Sequence, residues 1–177
     1  MRPADCFEEL DKALHERRTF DCGRKELNDF IQQSAVRLRD AGISKTMVLP
    51  AITESSRAKA DICSFYTLSH TELKRDSLPP SLAKKLPRYS IPVMLIAQLA
   101  VHQKMHNLGL GKITLIQSLQ HCLKINAHLP SHAIVVDSID DEVRGFYEQY
   151  GFKPLETNEQ YPLRLFLPMA TVANLFA

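Results

Sequence analysis

The sequence lacks the features that would mark a membrane, secreted or disulfide-stabilised protein. It contains no uninterrupted apolar run of about 18 residues, the length that a transmembrane helix requires. Its first residues, MRPADCFEELDKAL, carry acids where a signal peptide would carry its apolar core. Its four cysteines, Cys6, Cys22, Cys63 and Cys122, show no CxxC spacing, which disfavours disulfides and zinc. We therefore expect a cytoplasmic protein without metal or membrane contact.

Strong net charge is also missing, since the chain of 177 residues carries only +2. This value excludes a uniformly basic nucleic-acid binder. The charge is uneven, however, because between Asp61 and Lys112 seven bases face three acids, whereas acids gather after Val136. A basic central third fits a polyanionic ligand, although solvated lysines explain it almost as well. The bases in its middle are Lys74, Arg75, Lys84, Lys85 and Arg88.

Hydrophobic periodicity and turn residues predict a mixed α/β domain with a partly antiparallel sheet flanked by helices, over residues 1–177. A helix is expected from Arg24 to Gly42, with Asp21 as its cap. Later helices are predicted at Lys112–Asn126, Asp140–Tyr150 and Met169–Phe176, with a short one around Ser81–Lys85. Strands are predicted at Met47–Ile52, Asp61–His70, Tyr89–Val101, His132–Val136 and Leu163–Leu167.

The stretch Tyr89–Leu119 joins an apolar strand to an amphipathic helix through the loop MHNLGLGK. Gly109 and Gly111 permit positive φ and let a ligand approach the backbone closely. The helix start from Lys112 presents unpaired N–H groups and the positive end of the dipole. We interpret the stretch as a binding site for the pyrophosphate of a coenzyme. It matches neither a P-loop nor a dinucleotide fingerprint, and a plain structural turn explains a lone GxG equally well.

Two further motifs could carry chemistry. In FYEQYGF, the hydroxyl of Tyr147 is a suitable general acid for a thiolate leaving group, because an unperturbed phenol has a pKa near 10. The alternative is that Tyr147 only packs, and for Tyr150 packing is the favoured interpretation. His102 and His106 have the spacing of a metal pair, but they lie in a predicted loop without a third ligand.

Together these motifs resemble the GCN5-related N-acetyltransferase (GNAT) superfamily, whose central motif is a strand, Arg/Gln-x-x-Gly-x-Gly/Ala and a helix. Here the motif runs from His106 to Gly111, with His in place of Arg or Gln. Four blocks are most similar to the GNAT toxins of type II toxin–antitoxin pairs. They are FDCGRKELNDFIQQSA, YSIPVMLIAQLAV with its glycine loop, IVVDSIDDEVRGFYEQYGF and RLFLPMATVANLF.

The resemblance implies a GNAT fold and acetyl-CoA as the cosubstrate. It implies aminoacyl-tRNA as the acceptor, a ribbon-helix-helix antitoxin as a partner, and a homodimer as a candidate assembly. By this resemblance Tyr147 is the general acid, and Gln98 stands where family members often carry Arg. Coenzyme contacts are implied along the strand end and the loop, at Leu99, Ala100, Val101, His106, Asn107, Leu108, Gly109, Leu110, Gly111 and Lys112.

The predicted function is therefore direct acetyl transfer from acetyl-CoA to the α-amine of aminoacyl-tRNA, which blocks translation. Gln98 and the five bases named above are the candidate contacts to tRNA. Two alternatives stay open. One is a non-toxic GNAT enzyme that acetylates a small amine or a protein N-terminus. The other is a catalytically inactive module that binds acyl-CoA, in which His106 and Gln98 mark decay of the site.

Overall fold

A computed structural model describes residues 1–54, 58–156 and 162–177. These residues group into two compact units, Met1–Ser69 with Ala97–Ser118 and His70–Ile96 with Leu119–Ala177. The α-helices are α1 (Lys25–Asp29), α2 (Ala35–Asp40), α3 (Pro80–Ala83), α4 (Leu110–Asn126), α5 (Asp141–Glu148) and α6 (Met169–Leu175). The strands are β1 (Glu8–Glu9), β2 (His15–Glu16), β3 (Lys45–Pro50), β4 (Ala60–Leu73), β5 (Ile91–Val101), β6 (Ala133–Ser138), β7 (Lys153–Pro154) and β8 (Leu163–Pro168).

The first unit is built on antiparallel strand pairs. Strand β3 pairs with β1 on one side and with β4 on the other. Aromatic and branched side chains from β4 and from the first helical segment form its core. The apolar residues fall on one face of each element, because side chains alternate along a strand and recur every three to four residues along a helix. Phe20 and Phe65 meet edge to face with ring centroids 5.2 Å apart. Other buried members of this cluster are Leu10, Ile31, Ala35, Val48, Ile62 and Ala100.

The helix predicted from Arg24 is present, but it is interrupted. A π-helical turn at Phe30–Ser34 separates α1 from α2. The prediction that the helix ends at Gly42 is confirmed, since Gly42 follows α2 with a left-handed φ of 71°. The prediction that Asp21 caps α1 is wrong, since Arg24 occupies the cap position without a side-chain hydrogen bond. The carboxylate of Asp21 is engaged elsewhere, because it accepts hydrogen bonds from Gly23, Asn28 and Gln103.

The second unit combines parallel and antiparallel pairing. The first part of β5 runs parallel to β6, with Met94 opposite Ile134. Strand β8 pairs antiparallel with both β6 and β7. Its core includes Leu73, Leu78, Ile91, Val93, Ala133, Val135, Leu155 and Phe166. The short helix predicted around Ser81–Lys85 forms as α3, one residue earlier, because Pro80 takes the first helical position.

The predicted mixed α/β class with a partly antiparallel sheet is confirmed by this arrangement of strands and helices. The expectation of one domain over residues 1–177 remains a prediction. Within the described residues no helix is both long enough and apolar enough to cross a membrane.

Candidate functional site

The loop between β5 and α4 bends through two left-handed residues. Gly109 has φ 78° and Asn107 has φ 61°. Gly111 was expected beside Gly109 in the loop, with the helix starting at Lys112, but α4 already begins at Leu110 and Gly111 lies in its first turn. Asparagine takes the second left-handed position because its short polar side chain tolerates that conformation better than most residues do. The loop is therefore tighter than the glycine pattern predicts.

The start of α4 leaves a series of backbone donors open. In the described part of the chain, the first helix amide to donate a backbone hydrogen bond is that of Ile113, which donates to the Gly109 carbonyl at 3.2 Å. The preceding amides, of residues 107–112, have no acceptor among the hydrogen bonds of the described residues. Residues 106–109 and Lys112 are exposed, Gly111 is half-buried and Leu110 is buried. Open amides at the positive end of a 17-residue helix form an anion-binding geometry.

His106, which replaces the usual Arg or Gln, is attached to the strand that precedes the loop. Its Nε2 lies 2.8 Å from the Val101 carbonyl oxygen, so the ring nitrogen donates to the end of β5. This hydrogen bond attaches the first residue of the loop to the end of β5. Because that N–H is engaged, a phosphate at the loop would depend on backbone amides and on the exposed Lys112, the nearest cation after the loop.

The end of β5 contains a polar atom without a partner. The Gln98 side-chain oxygen is buried and has no hydrogen bond among residues 1–54, 58–156 and 162–177. Leu99 and Val101 are half-buried, and Ala100 is buried. A buried acceptor without a donor costs about 1–3 kcal/mol.

Tyr147 lies near the end of α5, whose bounds follow from its caps. Asp140 caps the helix by accepting a hydrogen bond from the Val143 amide at 2.8 Å, and Gly151 ends the segment with φ 93°. The Tyr147 side chain is only 6% exposed and packs against Phe152, with ring centroids 5.5 Å apart. Burial, with a further contribution from the Asp137 carboxylate, raises the pKa of Tyr147 well above its usual value of 10. The phenol is therefore protonated at neutral pH, as a general acid requires.

Asp137 was not singled out by the sequence. It lies in β6 directly opposite Arg164 of β8, and the two form a bidentate pair at 2.7 and 2.9 Å. The ion pair raises the pKa of Arg164 and leaves the Asp137 carboxylate as a fixed negative charge that acts on Tyr147. Only the register between the two strands brings these residues together, and no local pattern predicts that register.

Four of the five predicted basic contacts line one groove of the second unit, which has a volume of about 1010 Å³. They are Lys74, Arg75, Lys84 and Arg88, and two carboxylates, Asp76 and Glu156, share the lining. Lys85 does not line it. Arg75 is partly engaged, since its Nε donates to the Ala83 carbonyl at 2.7 Å. Tyr89 also lines the groove and is 71% exposed, which leaves a ring face open to a stacking partner.

The histidine pair does not form a metal centre. His102 is buried, and its Nδ1 accepts a hydrogen bond from the Lys104 amide at 3.2 Å. His106 is exposed and bonded to Val101. No group of three His, Cys, Asp or Glu side chains that could hold a metal ion occurs in the described part of the chain.

Comparison with known sequences finds relatives that are named as toxins. No family model matches the chain. A protein of Sinorhizobium fredii named "Probable toxin TacT" is 28% identical over 96% of this chain and 93% of its own length. The "tRNA-acetylating toxin" of Mycobacterium tuberculosis is 26% identical over 85% of this chain and 84% of its own length.

Solved structures agree with these relatives. The toxin AtaT complexed with acetyl-methionyl-tRNAfMet has a TM-score of 0.85 and 26% identity, covering 97% of this chain and 99% of its own. AtaTR bound with AcCoA has a TM-score of 0.82 and 26% identity, covering 97% and 98%. A mutant AtaT bound to the C-terminus of the antitoxin AtaR shares the fold, with a TM-score of 0.81, 22% identity and coverage of 97% and 98%. The chain therefore has the fold of the GCN5-related N-acetyltransferases and, in sequence, resembles the tRNA-acetylating toxins.

Proposed function

We propose that the protein is an acetyl-CoA-dependent N-acetyltransferase that acetylates the α-amine of aminoacyl-tRNA. The observation that carries the proposal is the set of open amides at residues 107–112, at the start of α4. Two phosphates of a coenzyme supply the acceptors that these donors lack. The half-buried end of β5 at Leu99–Val101 supports a ligand whose amide groups can pair with an extended backbone. Acetyl-CoA carries both groups.

In the proposed reaction the uncharged amine attacks the thioester carbonyl carbon. A C–N bond forms, the C–S bond breaks, and the amine loses one proton as the thiolate gains one. A backbone N–H of Leu99–Val101 donates to the developing oxyanion, and Tyr147 protonates the departing sulfur. No strong base is required, because an α-amine titrates near 7.7–8.0 and an aminoacyl ester lower still. The raised pKa of Tyr147 keeps the phenol protonated at neutral pH, and it also makes the phenol a weaker acid towards the departing thiolate.

The basic groove of the second unit supports a nucleic acid as acceptor. Four cations around a volume of about 1010 Å³ attract a sugar–phosphate backbone, and the exposed ring of Tyr89 offers a stacking surface for a base. Lys74, Lys84 and Arg88 are the cations of this lining for which the structure shows no competing hydrogen bond within the described residues. We therefore assign the phosphate contacts mainly to these three residues.

The proposal extends to the cellular role that the resemblance implies. Acetylated aminoacyl-tRNA cannot serve in peptide elongation, so the protein would arrest growth from the cytoplasm, where charged tRNA is found. A ribbon-helix-helix antitoxin would neutralise it. The AtaT complex with the C-terminus of AtaR supports a peptide segment as the inhibiting contact, because its whole-chain fold is shared.

The decisive experiment incubates the protein with labelled acetyl-CoA and total charged tRNA, then identifies the acetylated amino acid. Label in the aminoacyl fraction, absent with uncharged tRNA, supports the proposal. Label transferred only to small amines or protein N-termini would establish the rival enzyme. Binding of CoA without transfer or hydrolysis would establish an inactive module. Growth arrest that the neighbouring gene relieves separates a toxin from a housekeeping enzyme.

A further inference from the structure

The carboxylate of Asp21 connects the block FDCG to the segment that leads into the phosphate loop. Its Oδ1 accepts hydrogen bonds from the Gly23 amide and the Asn28 side chain, both at 2.8 Å. Its Oδ2 accepts from the Gln103 side chain at 2.5 Å, although the two residues are 82 positions apart in sequence. The Asp21 carbonyl also accepts from the Gln103 amide at 2.9 Å. Three side-chain acceptor contacts and one backbone contact thus meet at this residue.

The rest of the block holds Asp21 in place. Gly23 has φ 83°, a conformation that lets its amide turn back to the carboxylate. Asn28 donates to Asp21 and also accepts from the Cys22 amide at 2.9 Å, which closes the turn from the other side. Phe20 anchors the block by packing edge to face on the buried ring of His102, with centroids 5.5 Å apart.

Gln103 begins the short 3-10 turn Gln103–Met105, which immediately precedes the loop. The turn is fixed at its other end by Met105, which is buried against Leu110 and Cys63. His106 is bonded to Val101. The start of the turn has two supports: buried His102 accepts from the Lys104 amide at 3.2 Å, and Asp21 accepts from the exposed Gln103.

We propose that Asp21 is a positioning residue, whose paired hydrogen bonds to Gln103 hold the loop 106–112 in the conformation that binds the coenzyme pyrophosphate. The identity of the ligand in this inference rests on the proposed function, whereas the effect of Asp21 on the conformation of the turn does not. A loop that is ordered before binding loses less conformational entropy when the ligand arrives. Asp21 carries an ionised carboxylate close in structure to an anion site, and all of its donors are neutral. Because a carboxylate repels a phosphate, Asp21 helps binding by holding the loop in position and not by attracting the ligand.

The test uses three variants at the exposed contact. Gln103→Ala removes the side-chain bond without changing charge, and we expect the Kd for free CoA to rise about threefold to tenfold. Gln103→Glu places a second carboxylate against Asp21 and should weaken binding at least as much. Asp21→Asn combined with Gln103→Glu restores the wild-type net charge and a donor–acceptor pair. It should return the Kd to within about twofold of wild type.

Controls separate positioning from charge and from folding. Gln117 lies exposed on α4, so Gln117→Ala and Gln117→Glu repeat the same changes away from Asp21. Both should leave the Kd for CoA within about twofold of wild type. In every variant kcat at saturating acetyl-CoA should stay within about twofold, while KM follows the Kd. A fall in kcat and melting temperature together would mean that Asp21 only stabilises the fold, and would overturn the proposal.

Hydrogen exchange makes the result independent of the ligand. The amides of Met105 and His106 donate within the turn, to the carbonyls of His102 and Gln103 at 2.8 and 3.2 Å. They should exchange faster in both single variants at Gln103 and recover in the double variant. If the wild type fails to bind CoA, the proposed function is wrong, and exchange still decides whether Asp21 positions the turn. Unchanged exchange and unchanged CoA binding in Gln103→Ala would refute the inference.

Discussion

Replacing Tyr147 with Phe tests the proposed chemistry most directly. The change keeps the ring and its contacts with Phe146 and Phe152, at centroid distances of 5.2 and 5.5 Å, and removes one hydroxyl. We therefore expect the free energy of unfolding to change by about 1 kcal/mol or less. General acids contribute about 100-fold to 10,000-fold. The low end applies here, because a thiolate leaves without strong assistance and because burial makes this phenol a weaker acid. A loss of about 100-fold in kcat corresponds to about 2.7 kcal/mol.

The assay follows acetyl transfer to charged tRNA under saturating acetyl-CoA, with Tyr150→Phe as the matched control. Tyr150 packs on Phe146 at 5.3 Å, and its hydroxyl is assigned no chemical role, so its variant should keep kcat within about twofold. KM for acetyl-CoA should not change in either variant, since the acid acts after binding. Transfer at the wild-type rate by Tyr147→Phe would refute the assignment. An equal loss in both variants would point to packing.

The pH dependence follows from the same residue. Because its pKa is raised above 10, the phenol stays protonated across the usual assay range, and Tyr147 should produce no falling limb of kcat below pH 10. The rate should instead rise with pH as the amine loses its proton, near or below 7.7–8.0. Stability should be unaffected by this group below pH 10, and should decline above it, because the folded state disfavours the phenolate.

Four further substitutions test the loop, the helix start and the groove. Gly109→Ala should lower the free energy of unfolding by about 1–2 kcal/mol and weaken CoA binding. The added methyl group meets no neighbouring atom, but a φ of 78° is unfavourable for alanine. Denaturant titration measures the stability, and calorimetry measures the CoA binding. Thr114→Val should cost about 1–3 kcal/mol, since it leaves the fully buried hydroxyl of Ser64 without its partner at 2.9 Å. Lys84→Ala and Arg88→Ala should each weaken tRNA binding. Each should also make the plot of log K against log salt concentration less steep, by the amount that corresponds to losing about one phosphate contact.

Each of these predictions has a matched control. Gly145 lies inside α5 without positive φ and with open space around an added methyl group, so Gly145→Ala should be neutral or stabilising by up to about 1 kcal/mol. Ser64→Ala added to Thr114→Val should recover part of the loss, because no hydroxyl is then left unpaired. Lys85 lies outside the groove, so Lys85→Ala should change the salt slope less than Lys84→Ala does. Equal slopes for the two lysines would show that the groove does not bind the RNA.

Local rules predicted the elements well. The apolar run before the loop, the amphipathic helix after it and the glycine stops at Gly42 and Gly151 all appear as expected. The predictions were wrong where a residue type suits more than one local conformation. Asp21 has the chemistry of a helix cap, yet its carboxylate accepts from the Gly23 amide and from the side chains of Asn28 and Gln103 instead of capping α1. Gly111 has the chemistry of a turn, yet Asn107 and Gly109 complete the turn before it.

The sequence by itself determined the identity and order of the chemical groups. A strand, a glycine loop and a helix start are contiguous in the chain, and so are Tyr147 and the helix that carries it, because propensity, capping and periodicity act over a few residues. The tertiary structure alone decided which distant groups meet. It placed Asp137 opposite Arg164, 27 residues away, joined Asp21 to Gln103, and admitted Lys84 to the groove while leaving out Lys85. Strand register and side-chain packing set such meetings, and both depend on the whole fold rather than on neighbours in sequence.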